Sequence, residues 1–516
     1  MMYRLIYFFF LIFLLSISLS AQQTLLPLNF EIQNTIEKNL LKQDVGFTAQ
    51  RPFLFSDANG MANIDSICYK WGRDSVILSK MKHPWWWKKL RTEELIILKD
   101  KSFNLRINPL MNFSGGRTSN DSALMINTRG IDIRGDLGEL FSFGAGLYEN
   151  QAYFPDYYSA TIKEKHVVPG QGRSRVYKDK GYDYGLSYGY VSFTPNQHFN
   201  FQIGHGKHFI GEGYRSLILS DNAFNMPYAK WTTTWKRIRY TNLLLAYQNI
   251  GHADGTTEIY ARRYGSVTSL DFLISKFMEI GLTESIVWQK KDSLAYLPNM
   301  DYYNPIILFR TFRYGLNHKN NILLGINSKI KITQSLLTYF QFVYDDVDKM
   351  GYQIGLKYYD VLKLPLFLQL EYNWVNPYTY AHWDNQCYTH QNQALAHPLG
   401  ANFSEFVMRL RFNWKDIIIS YQLNYSNMGL DTTRINFGGD IFAQTRETQG
   451  SLIYQGEKTN IINQGFRLAY LINPSSNLQL YFEYRIRSSE NNTEQQLEKF
   501  YLFGMKTNLI NLYSDF

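Results

Sequence analysis

The chain has little cysteine, little proline and, beyond its first residues, no long apolar run. Cys68 and Cys387 are the only cysteines in 516 residues, too few for a framework of disulfide staples. No cysteine stands near Ser20 or Ala21, where the leader is expected to end, so an N-terminal lipid anchor is not expected. After Leu15 no stretch supplies the roughly 20 apolar residues that a helix needs to cross a bilayer. The mature chain is therefore expected to carry no helical anchor. HExxH, GxSxG, a P-loop and paired CxxC are absent as well, which removes the common signatures of several hydrolases and of zinc sites. No catalytic residues, no metal and no cofactor are expected.

What is present begins with a leader. A basic start at Arg4 leads into the apolar run 5–15 and then Ser16, Ser18, Ser20 and Ala21, the pattern of a secretory signal peptide over residues 1–21. Aromatics make up 16% of the chain, with 39 Tyr, 35 Phe and 10 Trp, yet mean hydropathy is −0.30. A polar average that hides apolar alternation is what transmembrane β-barrels show. Length alone would allow several domains of about 100 to 200 residues, but the repeated hairpins favour one large unit. The formal net charge is +9. An exported chain meets no nucleic acid, so acidic surface sugars and the head groups of outer-membrane lipid and lipopolysaccharide are the expected partners.

The alternation is clearest at 477–487, where Leu478, Leu480, Phe482, Tyr484 and Ile486 alternate with Gln479, Tyr481, Glu483, Arg485 and Arg487. Successive strand side chains point to opposite faces, so one face is apolar and the other charged. The first such strand begins at Phe103, with Leu105, Ile107, Met111 and Phe113 opposing Asn104, Arg106, Asn108 and Asn112. Short turns follow near 135–138, 194–197, 236–237, 275–276, 333–335, 361–363, 415–416 and 473–477, with longer connections between them. Short turns facing the periplasm and long loops facing outward imply an all-β, antiparallel transmembrane barrel of about 18 strands. Both barrel ends then lie on the periplasmic side, and Cys68 and Cys387 fall on opposite sides of the membrane. The expected organisation is a signal peptide at 1–21, a periplasmic, partly helical segment at 22–98 and an outer-membrane barrel at 99–516. Ile32, Ile36 and Leu40 have helical spacing, and a second helix is expected from Trp85 toward Leu98, its Trp85, Trp86 and Trp87 placed at a membrane interface or against the barrel rim. The last strand is expected near 501–509, the terminal Phe516 suiting a barrel assembly signal.

A charge on the lipid face costs roughly 2 to 4 kcal/mol near the midplane. Arg106, Arg409, Arg411, Arg467, Arg485 and Arg487 are therefore expected in the lumen, with Glu371, Glu405 and Glu483 available to pair with them. Among polar candidates, His382, His390 and His397 share one long connection, but their spacing matches no standard metal site. Asp345, Asp346 and Asp348 crowd a short outward turn without the ligand spacing of a calcium loop. Glu212 has no partner carboxylate in reach by sequence. More distinctive is the outer loop with Lys163, Lys165, Arg173, Arg175 and Lys178 beside Tyr177. Cations attract acidic sugars or lipopolysaccharide phosphates, and aromatic faces stack on sugar rings. This loop is the candidate polyanion-binding site.

Gly204, Gly206, Gly211, Gly213 and Ser216 form a glycine-dense stretch that implies a tight, inward-folded connection. This stretch resembles the capsule-assembly Wzi family. So do Asn304 and Pro305, Asn320, Asn321 and Gly325, Tyr339, Gln341 and Asp345, and most specifically EYNWVNPYTY from Glu371 through Pro377, with HPLGANF from His397, Pro398 and Gly400. The whole set looks most similar to the RemB-like gliding-motility branch. The resemblance implies an outer-membrane barrel that is no enzyme. For Wzi-like members it implies attachment of capsular polysaccharide. For RemB-like members it implies support of gliding, with motility or surface-adhesion proteins as partners. The glycine and EYNWVNPYTY motifs are expected chiefly to shape and close the lumen. A diffusion channel and, behind it, an outer-membrane hydrolase are the alternatives.

Overall fold

The computed structural model describes residues 24–43, 46–55, 84–100, 102–250, 261–289, 300–316, 320–382, 386–432, 435–443 and 452–516. The leader at 1–21 and Cys68 lie outside them.

Eighteen strands close into one antiparallel barrel. The first six are β1 (Phe103–Thr118), β2 (Ala123–Leu137), β3 (Phe141–Tyr153), β4 (Gly181–Asn196), β5 (Phe199–Gly206) and β6 (Met226–Trp235). Next come β7 (Ile238–Asn249), β8 (Ala261–Ser275), β9 (Met278–Gln289), β10 (Asn321–Lys331), β11 (Leu336–Asp346) and β12 (Lys349–Tyr358). The last are β13 (Leu366–Val375), β14 (Phe403–Trp414), β15 (Ile417–Leu430), β16 (Glu457–Asn473), β17 (Leu478–Glu490) and β18 (Gln495–Lys506). Each pairs with its successor, and β18 closes onto β1 from Phe500–Thr118 to Lys506–Asn112. Below that seam a short strand, Ile96–Lys99, pairs with 104–107 of β1 instead.

Period-two hydrophobicity sets the wall. On β17, Leu480 and Phe482 are each 38% exposed, whereas Gln479 between them and the turn is fully buried, so the apolar row faces lipid and the polar row faces a filled interior. Eight tight connections join the strands at one end, and Lys236, Lys415 and Asn477 take positive φ there. Short hairpins need that backbone to match strand twist. The tight-turn end is the periplasmic one. Three connections at the other end, 119–122, 347–348 and 491–494, are also short.

Helix α1 (Phe30–Gln43) lies inside the tight-turn end. Ile32, Ile36 and Leu40 pack on Leu26 and Phe53, while Leu41 meets Leu337, Tyr339, Tyr359 and Phe367 of the wall. Asn29 Oδ1 accepts from the Glu31 amide at 2.9 Å, satisfying an orphan donor of the first turn. Lys38 reaches Asp360 at the turn before β13, 2.6 Å away. The second expected helix is shorter than the sequence suggested. Helix α2 (Trp85–Arg91) stops well before Leu98, and 96–99 pair as a strand. Asn473 donates to the carbonyls of Lys89 and Glu93, so α2 sits against the periplasmic rim with Trp85 72% exposed.

The end of the chain also departs from expectation. β18 stops at Lys506, and 507–516 turn back into the lumen, so Phe516 does not complete a lipid-facing strand. Its ring packs 5.6 Å from that of Tyr158, inside the barrel. A further departure lies on the outer wall. Residues 300–316, which include a short helix, Phe309–Tyr314, run down the outside of β7–β9. The Tyr240 hydroxyl, near the tight turns, donates to the Pro305 carbonyl and accepts from the Ile307 amide at 2.9 Å.

Candidate functional site: a closed lumen under a basic rim

Residues 207–225, between β5 and β6, fold inward and are almost entirely buried. Gly211 has φ +138°, and a Cβ on it would stand 2.3 Å from Gln341 Nε2. A Cβ on Gly213 would stand 2.6 Å from both Gln353 Oε1 and Glu371 Oε2. The backbone can approach the wall this closely only because both residues lack side chains. Gly204 is similarly restricted, 2.5 Å from the Gly189 carbonyl, whereas Gly206 meets nothing nearer than 3.6 Å. Ser216 Oγ donates to the Ile210 carbonyl at 2.5 Å and accepts from the amides of Ile218 and Leu219, which closes the turn. The N-terminal segment adds to it, since Gln50–Arg51 pairs with Phe209–Ile210.

The wall grips this fold by backbone and by charge. Glu371 on β13 accepts from the amides of Tyr214 and Arg215 at 2.7 and 3.1 Å, from the Tyr339 hydroxyl and from Asn373. The sequence offered Glu371 as an arginine partner. It instead holds main-chain donors, because the inward loop brings its amides rather than a guanidinium to that position. Glu405 takes the charge role: Arg215 Nε and Nη2 reach its two oxygens at 3.2 and 3.0 Å, and Nη2 also reaches Asp515 at 3.0 Å. Arg215 is fully buried. Such a pair adds little over apolar packing, but breaking one side strands a buried charge at a cost of about 3 to 5 kcal/mol. His397 donates Nε2–H to Glu405 at 2.8 Å and accepts the Leu399 amide on Nδ1. Burial pushes its pKa below the ordinary value despite the carboxylate beside it. Gly400 turns the chain after Pro398 with φ +76°, and Pro377 packs on Gly438.

Arg409, Arg411, Arg467, Arg485 and Arg487 line the same interior. The Arg409 guanidinium lies 4.5 and 4.4 Å from the ring centres of Phe30 and Tyr214. Glu31, at the start of α1, stands 3.7 Å from Arg467 and 4.0 Å from Arg411. Burial alone would raise its pKa, but Arg411, Lys506 and Arg467 hold it well below the carboxylate range. Glu483 pairs with Arg485 at 2.8 Å, and Arg106 stands 3.8 Å from Glu94.

The rim at the opposite end carries the basic loop. Lys163 and Lys165 end helix α3 (Asp156–Lys165), whose Tyr157, Tyr158 and Ile162 dip into the barrel. Lys163 is exposed, whereas Lys165 lies 5.7 Å over the Phe442 ring, and burial lowers its pKa. Arg175, Val176 and Tyr177 form a short strand on β4, with Lys178 at the tip 5.3 Å from the Tyr177 ring. Arg175 and Lys178 are exposed, and Arg173 is half-buried.

No family model matches the chain, and no curated protein does either. Among solved structures it is similar to Wzi of Escherichia coli, described as an outer-membrane, carbohydrate-binding β-barrel involved in group 1 capsule assembly. The TM-score is 0.53 at 11% identity, over 95% of this chain and 100% of that one. OccAB2 of Acinetobacter baumannii (TM-score 0.44, 11% identity, 79% of this chain and 97% of that one) and OprD of Pseudomonas aeruginosa (0.42, 10%, 82% and 98%) are also matched. The fold is that of an outer-membrane barrel. With its apolar exterior and closed ladder, the chain is an integral outer-membrane protein of a Gram-negative bacterium.

The remaining candidates are tied into structure. Among the described residues no group of three metal-ligating side chains converges. His390 bridges the Asn225 carbonyl and the Gln248 amide, and His382 lies by Cys387 Sγ. Asp345 is not part of an outward acidic cluster: it is buried and accepts the Tyr380 amide at 2.9 Å. Glu212 accepts from Thr48 and lies 3.7 Å from Lys329, with its pKa raised by burial. Sequence reading missed Arg215, Asp515 and Glu284. Glu284 was visible in principle, as one carboxylate in the otherwise apolar outward row Ile280, Leu282, Ile286 and Trp288 of β9.

Proposed function

We propose that the chain, once its leader is removed, is a non-enzymatic outer-membrane barrel that holds acidic polysaccharide at the cell surface through its basic, aromatic rim. The observation that carries this reading is the exposure of Lys163, Arg175 and Lys178, with Tyr177, above a lumen crowded by inward segments. The similarity to a carbohydrate-binding barrel supports it at the level of fold. Lipopolysaccharide phosphates are the neighbouring ligands of the same cations. Replacing Lys163, Arg175 and Lys178 by Gln removes three exposed charges, each worth up to about 1 kcal/mol. Retention of acidic polysaccharide on intact cells is expected to fall roughly tenfold or more. Retention equal to that of the parent strain would discard the rim as the site.

The motif resemblance to RemB-like proteins extends the reading to gliding, the retained layer then serving as the material through which a cell grips a surface. Deleting the gene and scoring capsule, adhesion and spreading together separates the two physiological outcomes.

A further inference from the structure

The rim does not account for a cavity inside the barrel. This space, about 360 Å³, lies between the tail at 507–516 and the inner faces of β13–β18 and β1–β4. It runs from Asn34 and Phe367 toward the tight turns to Pro155 and Phe500 toward the outer rim. Its volume is within the range of pockets that hold small organic ligands.

Its lining is cationic. Arg409, Arg411, Arg467, Arg485 and Lys506 face Glu31, Glu483 and Asp515 across it, five cations to three carboxylates. Two guanidiniums rest on rings: Arg409 beside both Phe30 and Tyr214, and Arg467 4.8 Å over Tyr481. Planar guanidiniums fixed in this way keep the fork geometry that suits carboxylate and phosphate. Three donors on its lining, Nε of Arg467, Nε of Arg485 and the Tyr148 hydroxyl, are buried without an acceptor. They mark a wall whose hydrogen-bonding capacity is not used up within the protein.

The tail shows what a ligand of this wall looks like. Arg485 donates to the Ser514 carbonyl and hydroxyl at 3.1 and 2.8 Å, Arg215 to the Asp515 carboxylate at 3.0 Å, and Arg487 to the main-chain oxygen of Phe516 at 3.1 Å. Three consecutive residues thus present a row of oxygens to three arginines on the inner surface. We propose that the cavity is an internal binding site for a short segment of an acidic polysaccharide, lying beside the tail and read by Arg409 and Arg467. This deepens the function proposed above and rests on it for the ligand class, but it concerns a different set of side chains.

The test uses the purified full chain in detergent micelles, titrated calorimetrically with a short oligogalacturonate and, in parallel, with an uncharged maltooligosaccharide. The parent is expected to bind the acidic chain, more weakly as salt rises, and to show no heat with the neutral one. R409Q/R467Q is expected to lose at least tenfold in affinity while keeping the heat-modifiable mobility of a folded barrel. R409K/R467K, which retains the charges, is expected to recover part of the loss. The rim variant K163Q/R175Q/K178Q is expected to keep the component of oligogalacturonate binding that R409Q/R467Q loses. Unchanged affinity in R409Q/R467Q, absence of binding by the parent, or loss of binding only in the rim variant would each overturn the internal site. If the rim variant still retains polysaccharide on cells while R409Q/R467Q loses the oligogalacturonate, the rim reading fails and the cavity stands.

Discussion

His390 is held by two main-chain partners of opposite character. Nδ1 accepts the Gln248 amide at 3.1 Å, so Nε2 carries the proton donated to the Asn225 carbonyl at 3.2 Å. A second proton on Nδ1 would point at an amide hydrogen. Burial pushes the pKa down to about 3, and Arg263 adds to the shift while the Asn225 carbonyl opposes it. A group whose native pKa lies below its unfolded value of about 6.5 contributes stability that is complete above the unfolded value and is lost as pH falls toward the native one. Each pH unit below about 6.5 therefore costs the closed arrangement of 386–402 roughly 1.4 kcal/mol. The protection of amides at 388–394, taken relative to the intrinsic exchange rate at each pH, is expected to fall between about pH 7 and about pH 5. In His390→Gln, which keeps a donor but cannot titrate, that dependence should vanish. Protection there that ignores pH in both forms would show that the imidazole does not hold the loop.

At the scale of the element, the strap at 300–316 resolves a conflict in the wall. Thr283 and Ser285 face the lumen, so Glu284 points outward from the middle of β9, where an unpaired charge would meet lipid. The strap brings Arg310, whose Nε and Nη2 reach Glu284 Oε2 at 3.0 and 2.7 Å, and whose remaining donors reach Ser266, Thr268 and the Tyr302 carbonyl. Glu284 Oε1 accepts from the amide and hydroxyl of Thr311. Arg310→Met leaves the carboxylate stranded and is expected to destabilise the barrel by about 3 to 5 kcal/mol, seen as a lower urea midpoint for heat-modifiable mobility. Arg310→Met with Glu284→Leu should recover most of it, since neither charge is then buried alone. A single variant as stable as the parent would mean that the strap is not latched by this pair. The strands themselves were legible because period two is imposed residue by residue, and each tight turn broke an alternating run, as Lys415 and Asp416 do between β14 and β15. The strap was not, because its partners Tyr240, Ser266, Thr268 and Glu284 are scattered over three strands, and only pairing sets them side by side. The tail was misread for a related reason: Tyr501 and Phe503 alternate outward, and nothing local to 507–516 says that Asp515 belongs to Arg215.

At the scale of the whole molecule, the chain fills its own bore from both ends and from the middle. The segments at 24–43 and 46–55, the inward loop at 207–225, the connection at 386–402 and the tail at 507–516 meet around Arg215, Glu405 and Asp515, so no one of them fills the lumen alone. The glycine stretch and the Glu371–His397 region marked two of these segments in the sequence; the carboxylates that tie them together come from positions far apart in the chain. Inward segments crowd the bore, and the cavity beside the tail is narrowed by side chains that pair across it. The purified protein in planar bilayers is therefore expected to show little steady conductance. Deleting 507–516 removes the tail from beside the cavity while leaving the inward loop on Glu371 and Gln341, and intermittent openings are expected to replace silence. Asp515→Asn, which weakens the tail's bonds to Arg215, Tyr214 and Gln422 without removing the tail, should fall between the two. Large, stable currents from the unaltered protein would instead make it an open channel, with the buried arginines serving passing solutes and the inward segments moving aside as a matter of course.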